Sequence, residues 1–557
     1  MRPEVHAGAE RPGRPTPPRS EIGERTAIRA PVRPPGARLA AASWIALLVA
    51  LGLAFEVAYG QAPLYSGDQH EHVLRGLAHA GVGLLPLDWL ANTVDPTPAS
   101  SLLVTLAAAL HAEWLMLVLH ACLIGVYGVT LVALGVTLMR LEGLPRRLLL
   151  VALLLAVHSW VATRLTLGLP DDVRTLATEG LAGQHAPGET FEPSLFGVLI
   201  VASLLVYARG RLLGAVALAC AAAVLDPAYL IAALVLCAAY LADVHARARD
   251  ARAVARAAAL VTGLLVPVTV YSLISFAAAG GGAHAAAQSV LVDFRLADHA
   301  KLARWVGTDD GLRLVIVAGG LLAAWRTAMF SVLALSVAAA TALTAVQVAT
   351  GSDALALLSP WRLSVWLVPV STALLLAAGT QAVFALTGVV GRLLARRSPV
   401  REARLGRAGN VVADVVAGLL IALSLVAGLP AIGRLSAEPR REPFAALVTG
   451  EVRPGTLVLV PPRLYEVRVA AGVPVYVDYR SHPYSDLEVL EWRRRLRTAA
   501  RVYRPRRLDC RRLSALAAGE RVTHVVAESR MGGARCSGLE EIRRTGSLAL
   551  FRLEPHR

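Results

Sequence analysis

About eleven apolar stretches run through this chain, and the connections between them alternate in charge. That alternation limits the fold more than any other feature. A helix that crosses a bilayer needs about 20 mostly apolar residues. Such stretches fall near 39–58, 112–138, 148–166, 194–208, 213–225, 227–243, 257–277, 312–325, 328–349, 362–390 and 410–432. The adjoining pair from 213 to 243 reads as a tight hairpin. The connections at 139–147, 208–212, 243–256 and 391–408 are rich in Arg, whereas those at 59–100 and 167–193 are net acidic. Basic connections stay on the cytoplasmic side. The N-terminus is therefore expected inside, and an odd number of spans carries the C-terminal part outside.

Composition agrees with this class. Hydrophobic residues make up 55% of the 557 and charged residues 17%, and the mean hydropathy is +0.55. A soluble chain of this length carries more charge. The net charge of +16 does not point to nucleic acid. Lys301 is the sole lysine, so the excess is nearly all Arg. Much of it lies in cytoplasmic connections, where it orients the chain and meets anionic lipid.

Three segments follow. Residues 1–37 are polar and rich in Pro and Arg, too poor in apolar surface to offset ordering entropy, and are expected to be a disordered cytoplasmic tail. Residues 38–433 form a multi-span membrane domain. Residues 434–557 form an extracytoplasmic α/β domain, with strands expected at Thr456–Val460, Val473–Val477, Val522–Ala527 and Leu548–Leu553 and a helix at Asp486–Val502. Of five cysteines, Cys122, Cys220 and Cys237 lie in apolar stretches. Cys510 and Cys536 lie in the outer domain, where an oxidising compartment favours a disulfide between them. Neither a CxxC pair nor zinc spacing is present.

The first outside connection is the richest in chemistry, running from Tyr65 to Ser101. Asp68 lies about ten residues past the first span and is followed by Gln69, His70, Glu71 and His72. Asp88 and Asp95 come later. A carboxylate at a membrane surface can act as a general base, or hold a divalent cation with a neighbouring His. Asp68 can equally cap the helix that follows it, and Asp95-Pro96 can simply make a turn. Glu113 and His120 are spaced to share one helix face, and an intramembrane charge is a functional candidate by default. Arg362 stands at the outer end of a span, where a guanidinium fork suits a phosphate or anchors the interface. Arg295, His299, Lys301 and Arg304 make the connection at 278–311 locally basic, which suits an anionic head group or a solvated amphipathic helix. Asp478, Arg480, His482 and Tyr484 are expected to face the membrane domain or the site. Walker A, GxGxxG in a strand–helix setting, GxSxG and HExxH are all absent.

Several of these segments resemble one family. SGDQHEHVLRGLAHAG with DWLANTVDPTP, then EGLAGQHAPGETFEPSLFGVL, DFRLADHA, SPWRLSVWLVP and VPVYVDYRSHPYSDLEVLEWRRRL are similar to a group of bacterial polytopic membrane proteins. That group lies near the GT-C superfamily of membrane glycosyltransferases, which includes the protein O-mannosyltransferases. The resemblance implies a GT-C-like helical fold and transfer of a sugar from a polyprenyl phosphate at the outer face. It implies that a carboxylate of the first outside connection assists attack on the anomeric carbon, and here that carboxylate is Asp68. The family's paired acidic signature is altered, since Gln69 follows Asp68 and Glu71 comes three later. The candidate substrate-binding set is His70, Glu71, Asp88, Asp95, Arg295, His299 and Arg362. The expected partners are membrane lipid and a polyprenyl-phosphate-linked sugar, not nucleic acid. The competing readings are a transporter whose polar groups line a path, and a non-catalytic membrane protein whose outer domain binds a partner.

Overall fold

The computed structural model describes residues 36–166, 168–394, 399–436, 448, 450–451, 453–504, 507–528 and 536–554. The expected disordered tail, up to residue 35, lies outside the described residues. Two compact units are present. The first ends at Leu47, and its described part is the start of a helix. The second, residues 48–557, holds everything discussed below.

Each of the eleven apolar stretches is helical, because a continuous apolar run in lipid must satisfy its backbone internally. The first lies in Gly36–Tyr59, the second in Trp114–Leu138 and the last in Pro399–Ser436. Among the described residues six helices are long and apolar enough to cross a membrane: Trp114–Leu138, Pro227–Ala248, Ala251–Ser275, Met329–Thr350, Asp353–Leu394 and Ala403–Leu435. Ser43–Tyr59, Pro98–Ala109, Pro193–Ala208 and Leu212–Leu225 are shorter apolar helices. The chain is an integral membrane protein by this content. The Pro98–Ala109 helix was not expected; it follows directly on Asp95-Pro96 and starts with Pro98 in its first turn, where proline's missing N–H costs nothing.

Packing follows membrane rules. Val411, Val415, Leu419, Leu423 and Val426 are exposed on the last long helix. A soluble protein would not tolerate such a stripe, whereas lipid does. Where helices meet closely, glycine makes room. A Cβ on Gly125 would lie 3.1 Å from the Cα of Gly52, and one on Gly428 would overlap the Val57 carbonyl. The Leu212–Leu225 and Leu230–Ala248 helices form the expected hairpin. Asp226 turns it by accepting from the Ala228 amide at 3.0 Å, and the sulfurs of Cys220 and Cys237 lie 3.9 Å apart.

The C-terminal region carries a four-stranded sheet in the order Val458–Leu459, His524–Glu528, Leu548–Leu553, Leu539–Thr545. The first pair is parallel and the others antiparallel. Val473–Val477 contributes a single bridge, Val458 to Val475, rather than a full strand. The unexpected strand is Leu539–Thr545 (LEEIRRT). It is the sheet edge and mostly exposed, so its charges suit solvent and hide the alternation that signals a strand. The Asp486–Val502 helix forms as expected, and its Trp492 is fully buried and donates to the Asp478 carbonyl at 3.0 Å. Cys510 and Cys536 are joined in a disulfide with a Cα–Cα separation of 5.3 Å.

Candidate active site

Connections between helix ends, together with one edge of the C-terminal region, enclose a cavity of about 1450 Å³. Its first wall is the connection after the first helix. Tyr65 adopts a left-handed backbone conformation (φ 60°), and its amide donates to the Gln69 side chain at 2.6 Å. The Gln69 amide group reaches across to the Phe191 carbonyl at 3.0 Å. This pins the short Gln69–His72 helix against the 183–194 segment. Asp68 stands at the head of that helix but makes no side-chain capping bond. Its carboxylate instead pairs with Arg480 of the C-terminal region, whose guanidinium lies 4.9 Å over the Tyr465 ring.

Glu71 is buried beside it. His482 lies 2.9 Å and Arg295 3.6 Å from its two oxygens. Burial alone would raise its pKa. His482, His72 and Arg295 outweigh burial and bring it to about 2, so Glu71 is ionised. Arg295 also donates to the Arg480 carbonyl at 2.7 Å, which couples the two pairs. On the opposite wall Arg362 donates to Asp226 at 3.1 Å and covers the Tyr229 ring at 4.9 Å. His299 bonds the Ala182 carbonyl at 2.6 Å.

Of the sequence-predicted set, the cavity thus brings together Asp68, Glu71, Arg295, His299 and Arg362. Three others stand off its wall. His70 is buried edge-on to Tyr465, with ring centroids 5.5 Å apart, and burial pushes its imidazole down to about 4. Asp88 is fully buried. It accepts from the amides of Leu90, Ala91 and Val475 at 2.8, 3.1 and 2.9 Å and from Arg468 at 3.0 Å. Arg468 in turn bridges to Asp478 at 2.5 Å. This buried Asp–Arg–Asp cluster latches the first connection to the C-terminal region. Asp95 accepts from the Thr97 amide at 2.9 Å, the turn role open to an Asp-Pro sequence. Asp171 pairs with Arg313 at 2.5 Å, and Asp172 caps the Val173–Thr178 helix. His120 pairs with Glu56 at 3.3 Å rather than with Glu113, and Gly188 roofs the pair at 2.9 Å.

Sequence reasoning assigned no role to His185, Glu192 and Asp226, which line the same cavity. Glu192 is buried and accepts from His185 at 3.0 Å and from the Ser194 hydroxyl at 2.7 Å. Burial opposes its ionisation, but His185 and then His72 prevail and bring it to about 2. His185 is raised by the same carboxylate against burial. The signal was an HxxxxxxE spacing in a loop, which no periodic pattern marks.

The carboxylates differ in access. The Asp68 side chain is 41% exposed, against 10% for Glu71, 4% for Glu192 and 5% for Asp226. Among these, Asp68 is the carboxylate a ligand can reach. Part of the wall is apolar. Leu230, Ile231, Phe276, Leu357 and Leu358 come from the ends of membrane helices or lie beside them. Among the described residues no group of three or more His, Cys, Asp or Glu is placed to hold a metal ion.

Residues 444–499 match the family model described as Domain of unknown function (DUF6798). That segment contains Tyr465, Tyr479, Arg480, His482 and Tyr484 of the cavity wall. No curated protein matches the chain. Among solved structures the chain is similar to ArnT from Cupriavidus metallidurans bound to undecaprenyl phosphate. The identity is 12% and the TM-score 0.48, covering 92% of this chain and 98% of that one. ArnT from the same organism in the apo state gives 12%, 0.47 and the same coverage.

Proposed function

We propose that this protein is an integral-membrane glycosyltransferase, moving a sugar from a polyprenyl-phosphate donor to an acceptor at the outer face of a bacterial plasma membrane. The N-terminus is cytoplasmic in this reading, and the C-terminal domain is extracytoplasmic. One observation carries it: an accessible carboxylate, Asp68, shares a cavity with arginines and with an apolar wall at the ends of membrane helices. A lipid-linked phosphate sugar needs all three. The apolar wall takes the prenyl chain, guanidinium takes the phosphate, and the carboxylate takes a proton.

The step balances. The acceptor hydroxyl oxygen bonds to the anomeric carbon while its proton passes to Asp68. The bond from that carbon to the phosphate oxygen breaks, its electron pair leaves on the phosphate, and the anomeric centre inverts. Arg480 pairs with the Asp68 carboxylate in the resting site. A donor phosphate entering between Arg362 and Arg480 competes for the Arg480 guanidinium and frees the carboxylate to accept the proton. Glu71, held by His482 and Arg295, and Glu192, held by His185, keep the surrounding wall fixed.

The test is transfer from radiolabelled polyprenyl-phosphate sugars by the purified protein in liposomes. Asp68→Asn is expected to express normally and to lose transfer by ~100-fold or more, the scale of a positioned base. Wild-type turnover in Asp68→Asn, or failure of the wild type to consume any such donor, overturns the proposal.

A further inference from the structure

The Asp486–Val502 helix carries Arg493, Arg494, Arg495 and Arg497, and it treats them in two ways. Arg494 pairs with Glu491 and Glu520 at 2.6 and 2.7 Å, and Arg495 pairs with Glu491 at 2.7 Å. Arg493 and Arg497, one turn apart, line the cavity instead. Among the described residues neither has a carboxylate within ion-pair distance, nor has Arg463, which lines the same wall. Arg493 is stacked 3.4 Å from the centre of the Phe294 ring, so its place is set by packing. Burial, and then repulsion from Arg497, both push its guanidinium's pKa down. Like charges one helical turn apart destabilise a helix unless something neutralises them. The membrane-side arginines differ: Arg362 and Arg295 already have Asp226 and Glu71. Arg362 also lies next to the apolar wall at Leu357 and Leu358, where a lipid phosphate would sit.

We infer that Arg463, Arg493 and Arg497 form a second anion site, on the C-terminal wall of the cavity, that binds a phosphate or carboxylate group of the acceptor. The inference rests on the transferase reading and names its acceptor class: an anionic molecule. Asp68 and Arg480 line the same cavity as the two anion stations.

The experiment uses the full chain in phosphatidylcholine nanodiscs, with inorganic tripolyphosphate and a polyprenyl monophosphate titrated separately by calorimetry. Arg493→Gln/Arg497→Gln should weaken tripolyphosphate by ~10-fold or more, the scale of losing charge-assisted hydrogen bonds, and leave the prenyl phosphate unchanged. Arg362→Gln should do the reverse. Arg493→Lys/Arg497→Lys should keep much of the tripolyphosphate binding, which separates lost charge from misfolding. Unchanged tripolyphosphate binding in the Gln variant overturns the site. Equal loss of both ligands assigns these arginines to the donor phosphate and overturns the acceptor assignment. The tripolyphosphate loss in the Gln variant should persist in an Asp68→Asn background, so a failed transfer reading shows in turnover and a failed anion site shows in binding.

Discussion

Removing the Asp88 carboxylate is expected to loosen the C-terminal region from the membrane helices. Asp88 is fully buried and accepts from three backbone amides and from one face of Arg468, a residue 380 positions away in sequence. Arg468 is 2% exposed. Asp88→Ala therefore leaves a buried guanidinium with half its counter-charge, together with orphaned amides. Breaking one side of a buried ion cluster costs about 3–5 kcal/mol. For a cooperative unit of about 100–150 residues that loss lowers the melting midpoint by roughly 10–20 °C. Asp95→Ala is the control, since it removes one turn bond at a partly exposed site, worth about 1 kcal/mol. The assay is melting of the detergent-solubilised protein followed by tryptophan fluorescence, beside limited proteolysis at fixed temperature. Arg468→Ala and the double variant complete a cycle, in which the two single losses should fall short of adding by more than ~1 kcal/mol. If Asp88→Ala melts with Asp95→Ala, or if the cycle is additive, the latch does not hold the domain in place.

Two further outcomes follow from the site and the C-terminal region. Acid should destabilise the docked region in two stages. His70 has its folded constant depressed to about 4 from its ordinary 6.5, so the neutral ring's stability is lost as pH falls from about 6.5 toward 4. Glu71, depressed to about 2, contributes stability that is present above about 4.5 and is lost between there and 2. Melting against pH should thus fall in both windows; His70→Gln should remove the first and leave the second, and a flat profile from pH 7 to 4 refutes the assignment. The Cys510–Cys536 disulfide closes a loop of about 27 residues and should stabilise the C-terminal region by roughly 3 kcal/mol. Non-reducing mass spectrometry should find the linked peptides, and an alkaline phosphatase fusion after Arg557 should be active; free thiols with an inactive fusion would place the domain in the cytoplasm.

The helices were legible because hydropathy is local. An apolar run about 20 residues long has few alternatives in a bilayer, and each predicted stretch is helical. The Asp486–Val502 helix was legible for the same kind of reason, a 3.6-residue apolar period around Trp492. The edge strand Leu539–Thr545 was not, since an exposed edge needs no apolar alternation. The site divided along similar lines. The first connection stood out by its density of charge, and Asp68, Glu71, Arg295, His299 and Arg362 do share one cavity. Their partners were not readable. Asp68 pairs with Arg480, Arg362 with Asp226, and His120 with Glu56 rather than the Glu113 that its helix suggested. Asp88 had the same residue type and the same connection as Asp68, yet one carboxylate is sealed by Arg468 and the other opens on the cavity. Local sequence sets which segments enter the bilayer and which stay wet, because transfer free energy sums over neighbours along the chain. Which wet carboxylate meets water and which meets a buried arginine depends on how distant segments cross, and only the tertiary structure decides that.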